Sequence, residues 1–163
     1  MNWLVTGGCG FLGTALVRAL VAEGGHSVRV VDNLAVGERE DLEAVTPFEE
    51  VTEVGPMRPD SPVELLVGDI LDEELALRAA QGADVIVHLA ANTGVMPSIE
   101  DPRADCMSNV VGTLNYLEAA RTGSSLSTSS CTVVSALVAI WKISPPTPST
   151  LAASLTALMR SPT

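Results

Sequence analysis

Eight residues near the start of the chain, Thr6-Gly7-Gly8-Cys9-Gly10-Phe11-Leu12-Gly13, carry its most specific chemical signal. Gly8, Gly10 and Gly13 stand in G-x-G-x-x-G spacing, and Gly7, Gly10 and Gly13 also recur at every third residue. A bend with so few Cβ atoms lets a diphosphate reach the backbone at a helix N-terminus, and the last glycine lets that helix pack closely on the strand before it. Asp32 follows Gly13 by 19 residues. A carboxylate so placed accepts both hydroxyls of an adenosine ribose and repels a 2′-phosphate, which favours NAD over NADP. The plainer alternative is a simple tight turn with Asp32 capping something local; the agreement of context and spacing weighs against it.

The other reactive side chains read more blandly. His88 sits in an apolar run and reads as a hydrogen-bonded core residue, and His26 in a turn reads as solvated. Cys9 is expected to be a small loop residue rather than a reactive thiol. Asp72-Glu73-Glu74 suits a helix start, and Met96 and Met107 read as packing residues. Cys9, Cys106 and Cys131 have no CxxC spacing, so neither a disulfide framework nor a metal site is expected, in keeping with a reduced cytoplasm. No signal peptide is visible, and the apolar stretch Thr132 to Trp141 is too short to span a bilayer.

The elements that must position the loop follow in order. Trp3-Leu4-Val5 reads as a strand. Phe11 to Glu23 reads as a helix with Leu12, Ala15, Leu16, Ala19 and Leu20 on one face, stopped by Gly24-Gly25. Ser27 to Val31 is a second strand closed by Asp32. A helical turn around Glu38 to Ala44 precedes a loop up to Pro62, a strand Val63 to Val67 and a helix Asp72 to Gln81. Asp84 to Ala90 is a fourth strand, and Asp101 to Arg121 a long helix with Pro102 in its first turn. Strands apolar on both faces, alternating with helices, predict an α/β fold: a Rossmann-like, doubly wound parallel sheet.

The 163 residues carry 20 acidic and 9 basic side chains, a formal net charge of -11. Such a charge disfavours nucleic acid and anionic membrane surfaces as partners, so any bound phosphate must be held by backbone amides. All the acidic residues lie between Glu23 and Glu118, while residues 122–163 hold 17 Ser or Thr and the patch Pro145-Pro146-Thr147-Pro148. The expected division is therefore a dinucleotide-binding domain over 1–121 and an anomalous tail over 122–163.

Five stretches resemble one family in order: the glycine loop, Asp32-Asn33-Leu34 with Gly37, Gly68-Asp69-Ile70, His88-Leu89-Ala90-Ala91, and Asn109-Val110-Val111-Gly112-Thr113-Leu114-Asn115. Glu118-Ala119-Ala120-Arg121 then ends the helix. Over residues 2–121 the chain resembles the N-terminal half of extended short-chain dehydrogenases/reductases, in the NAD-dependent epimerase/dehydratase branch typified by UDP-glucose 4-epimerases. The resemblance implies NAD as cofactor and these binding positions: Gly7, Gly10, Phe11, Leu12 and Gly13 at the pyrophosphate, Asp32 and Asn33 at the adenosine ribose, and Asp69 and Ile70 beside the adenine. Leu89, Ala90 and Ala91 would line the cofactor channel, with Asn109 supporting it. It further implies hydride transfer to and from NAD at a carbon of a nucleotide sugar, and a homodimer only if the fold is intact.

The family's Tyr-x-x-x-Lys proton-transfer pair is missing. The sole tyrosine is Tyr116 and the sole lysine Lys142, so no catalytic residue is assigned. Family members run to about twice this length. The family's fifth strand should follow Arg121, where Ser124 to Ser130 makes a poor strand core; Val133 to Trp141 is the one apolar stretch able to replace it, failing which marginal stability is expected. The tail reads either as a frameshifted translation or as a genuine, disordered Ser/Thr-rich extension. Read from the third base of the Trp141 codon, it permits an acidic, proline-rich string in the family's register. The leading expectation is an NAD-binding portion of a nucleotide-sugar epimerase or dehydratase, catalytically incomplete. The alternatives are a non-catalytic dinucleotide-binding or scaffold protein, and an enzyme using Ser129, Ser130 or Thr132.

Overall fold

The computed structural model describes residues 1–57, 61–123 and 132–135. Its strands are β1 (Asn2–Thr6), β2 (Ser27–Asp32), β3 (Phe48–Val51), β4 (Val63–Val67), β5 (Val85–His88) and β6 (Thr132–Ser135). The helices are α1 (Phe11–Glu23), α2 (Arg39–Glu43), α3 (Glu73–Ala79), α4 (Val95–Glu100), α5 (Pro102–Cys106) and α6 (Gly112–Gly123), with a π-helical turn, Met107–Val111, between the last two.

All six strands are parallel, in the order β3-β4-β2-β1-β5-β6. From β1 the chain steps to β2, on to the edge strand β3 and back inward to β4, then crosses to β5 and β6 on the other side. The order therefore reverses between β1 and β5, where doubly wound sheets place their ligands.

Alternation along each strand divides the core into two layers. Trp3, Val5, Val28, Val30, Val85 and Val87 pack with Leu16, Val17 and Leu20 of α1. Leu4, Val31, Leu66 and Ile86 face the other way, against Leu75, Ala76 and Ala79 of α3 and Tyr116, Ala119 and Ala120 of α6. Helix starts use the chemistry their sequences offer: Asp72 accepts the Leu75 amide at 2.9 Å, and Asp101 caps α5 by accepting the Ala104 amide at 2.9 Å, with Pro102 in the first turn.

Several expectations are corrected. The segment expected to be loop up to Pro62 contains β3, an outer strand whose Glu49 and Glu50 are exposed and which therefore lacks an apolar pattern. The long helix expected over Asp101 to Arg121 is broken into α5, the π turn and α6, and is preceded by α4. Met96 and Met107 do not pack inside; they are 60% and 42% exposed. His26 is not solvated: its ring lies edge-on to Trp3, centroids 5.8 Å apart, with only 14% of the side chain exposed.

Within the anomalous segment, residues 132–135 form β6 and pair with β5 in the register Val85↔Thr132 to His88↔Ser135. This is the beginning of the stretch singled out as a replacement strand, and it covers the side of β5 expected to lie bare. Ser129, Ser130, Lys142 and the proline patch lie outside the described residues. No helix among the described residues is long and apolar enough to cross a membrane.

Candidate functional site

At the reversal between β1 and β5, the glycine loop leaves Thr6. Gly7 has φ +69°, and its amide donates to the Val31 carbonyl at 2.8 Å. A Cβ there would sit 2.7 Å from the Ala90 nitrogen, so only glycine lets this bend touch the end of β5. Gly10 precedes α1 and has no side chain to cap it; the first helical bond runs from the Thr14 amide to the Gly10 carbonyl at 2.9 Å. The amides before it, on Phe11, Leu12 and Gly13, are the donors that a helix start leaves without an intrahelical partner. They border a cleft of about 1080 Å³.

All thirteen residues nominated from sequence line this one cleft: the five of the glycine loop, Asp32 and Asn33, Asp69 and Ile70, Leu89 to Ala91, and Asn109. Asp32, only 8% exposed, accepts the Cys9 amide through Oδ2 and the Leu34 amide through Oδ1, both at 2.9 Å. It thus holds the local turn, as the plainer alternative has it, and also ties the end of β2 to the glycine loop. Each carboxylate oxygen retains further acceptor capacity. Leu34 adopts φ +58°, an unusual conformation for a γ-branched residue, in the turn gripped by the Asp32 and Asn33 side chains.

The opposite wall is equally anchored. The Asn115 side-chain Nδ2 donates to the Ile70 carbonyl at 2.9 Å. Asn109 accepts the Asn92 amide at 2.8 Å and donates to the Asn92 carbonyl at 2.9 Å and to Asp105 at 3.2 Å. Its side chain therefore pins the loop after β5 as a peptide partner would. The π turn holds Asn109 itself, a placement that such turns serve at functional sites.

His88 is buried, as expected, and it also lines the cleft, which sequence reasoning did not foresee. Thr6 Oγ1 accepts the Ala90 amide at 3.2 Å and shares the Leu89 amide with the Thr6 carbonyl, which leaves its own proton for His88 Nδ1, 2.7 Å away. The ring proton then belongs on Nε2. Burial pushes the imidazole pKa down to about 4. An unfolded chain takes up a proton near pH 6.5 that the folded chain refuses until about pH 4, so stability falls as pH drops through that window. Between pH 7 and pH 5 the expected loss is about 2 kcal/mol at 1.36 kcal/mol per unit. Urea denaturation at the two pH values measures it, and an equal drop in His88→Gln would assign the effect to other groups.

Cys9 is buried in the loop, and burial together with Asp32 and Asp41 pushes its thiol up to about 12, so it stays protonated and unreactive, in line with the sequence reading. Tyr116 is 0% exposed in α6, and burial, with Asp72 and Asp69 nearby, holds its phenol above the ordinary range. Such a group is no general base at neutral pH.

Residues missed by sequence reasoning include Ala35, Val36, Asn92, Ser98, Asp105 and Ser108. Asp105 carried a usable signal, since it stands four residues before Asn109 on a helix. The charged residues lining the cleft are Asp32, Asp69 and Asp105, with no lysine or arginine among them. Among the described residues that line the cleft, phosphate has backbone amides and the α1 dipole as its donors, and a 2′-phosphate finds no cation. Among the described residues no group of three or more His, Cys, Asp or Glu could hold a metal ion.

A model of the NAD dependent epimerase/dehydratase family matches residues 3–151, past the end of the ordered motifs and through β6. UDP-glucose 4-epimerase of Mycolicibacterium smegmatis is 38% identical over 122 residues, 74% of this chain and 35% of that protein. The dTDP-glucose 4,6-dehydratase 1 of Escherichia coli is 38% identical over 124 residues, 74% of this chain and 31% of its own length. Among solved structures, Thermus thermophilus UDP-glucose 4-epimerase in complex with NAD superposes with a TM-score of 0.60 at 37% identity, covering 76% of this chain and 34% of that one. The dTDP-glucose 4,6-dehydratase DesIV of Streptomyces venezuelae, with NAD bound, gives 0.63 at 34% identity, covering 76% and 36%. The match thus spans about a third of the length of these relatives. The chain belongs to the NAD-dependent epimerase/dehydratase family.

Proposed function

We propose that the chain is the NAD-binding, N-terminal portion of a nucleotide-sugar epimerase or dehydratase, with residues 1–121 as its dinucleotide-binding domain. The observation that carries this reading is the convergence of all thirteen nominated residues on one cleft at the β1/β5 reversal. In it the α1 amides of Phe11, Leu12 and Gly13 take the pyrophosphate, and Asp32 and Asn33 take the adenosine ribose. Asp69 and Ile70 flank the adenine, and Leu89 to Ala91 and Asn109 border the rest of the cofactor. NAD supplies hydride acceptance from a sugar carbon; the second ligand is a nucleotide sugar. The free thiols of Cys9 and Cys106 suit the cytoplasm.

The sole tyrosine is sealed in the core rather than presented to the cleft. That favours, as a second reading, a protein that binds dinucleotide without turnover. Calorimetric titration with NAD tests the shared part. The wild type is expected to bind saturably. Asp32→Ala is expected to bind at least about tenfold more weakly, since charge-assisted hydrogen bonds contribute roughly 1.5–3 kcal/mol. A folded wild type that takes up no NAD sinks both readings; turnover of a UDP- or dTDP-sugar would separate them.

A further inference from the structure

Beneath the cleft, two polar atoms lie sealed from solvent with no partner among the described residues: His88 Nε2 and Tyr116 Oη. Their rings stack between β5 and α6, centroids 5.3 Å apart and tilted by 30°. Adjacent as the rings are, Nε2 and Oη make no hydrogen bond to one another. Thr6 makes the shortfall specific. Its hydroxyl accepts the Ala90 amide and shares the Leu89 amide with the Thr6 carbonyl, and with its own proton directed to Nδ1 the ring proton is assigned to Nε2, which is then a donor. Buried polar groups are bonded in the great majority of cases, to protein or to ordered water, and a buried water typically makes about three bonds to such groups.

We propose that one buried water molecule bridges His88 Nε2–H and Tyr116 Oη. The water accepts from the imidazole and exchanges a hydrogen bond with the phenol. It completes a chain that starts at the Ala90 amide, passes through Thr6 and His88, and ends on α6. The end of β5 is thereby coupled to the helix packed over it, and the chain's only tyrosine serves as a water ligand rather than as a base. The inference is independent of NAD binding.

A crystal structure of the full chain, refined to a resolution that shows ordered water, is expected to place an oxygen about 2.7–3.2 Å from both atoms. Protein atoms filling that position would overturn the proposal. Tyr116→Phe gives a second reading, by thermal denaturation. With the bridge present, the variant deprives the water of a partner, and Tm falls by about 3 °C or more. With no bridge, the variant removes an unsatisfied hydroxyl, and an unchanged or raised Tm overturns the proposal.

Discussion

Arg29→Ala is expected to bring the protein close to unfolding at ordinary temperatures. Arg29 sits in the central strand β2 with 2% of its side chain exposed. Its Nε donates to Glu64 Oε2 at 2.7 Å, Nη1 to the Ala79 carbonyl at 3.0 Å and Nη2 to the Gly55 carbonyl at 3.0 Å. One guanidinium thus joins β2, β4, the end of α3 and the segment before Pro56. Truncation leaves a partly buried carboxylate and two carbonyls without their donor. Breaking a buried pair in this way costs about 3–5 kcal/mol, out of a total stability of roughly 5–15 kcal/mol for a typical domain. Arg29→Lys should not rescue, because an ammonium lacks the planar fork that reaches three diverging acceptors. A double replacement, Arg29→Met with Glu64→Leu, should recover much of the loss. Urea denaturation of the four proteins tests this; a wild-type midpoint in Arg29→Ala would show the buried cluster to be energetically idle.

The second large effect is expected from Gly13→Ala. A Cβ at Gly13 would collide with the Gly7 carbonyl oxygen and with the Gly8 backbone, so α1 and the loop would have to separate. Forcing a methyl group into backbone that cannot yield costs about 3 kcal/mol, and NAD binding should weaken at least about a hundredfold as the opening amides shift. Gly10→Ala is the informative contrast. Its Cβ would approach only the Gly7 carbonyl oxygen, at 3.3 Å, yet Gly10 lines the cleft. That variant should keep nearly wild-type Tm while losing NAD affinity. If both variants melt and bind alike, the packing and ligand roles of the two glycines are not separate.

What was legible in the sequence depended on how far each element's pattern is local. Phe11–Glu23 is foreseen to the residue, because an apolar face, a glycine start and a glycine stop all lie within the segment. Asp72 and Asp101 cap helices through amides three residues away, so they too are readable. β3 is hidden because an outer strand with exposed glutamates has no periodicity to show. The π turn is hidden because nothing in the local pattern marks it, and the contacts of its Asn109 are distant, to the Asn92 peptide 17 residues earlier. Arg29 reads as the polar member of an alternating strand, and only the tertiary fold reveals that three acceptors converge on it. The cleft was legible through ordered motifs, whereas Ala35, Val36 and Ser98 carry no chemistry that a motif could flag.

The wide turn at Met107–Val111 constrains what the gene can tolerate. Each residue of a regular helix advances the side-chain direction by about 100°. The π turn carries one residue more than regular helix needs, so losing one position there would tighten it and keep the faces of α6, whereas losing one between Gly112 and Asn115 would swing Tyr116, Ala119 and Ala120 away from the sheet and roll the outward-facing Leu117 toward it. Length is therefore heritable information in this helix: the wide turn can give up one position, but a deletion beyond it re-addresses every side chain downstream.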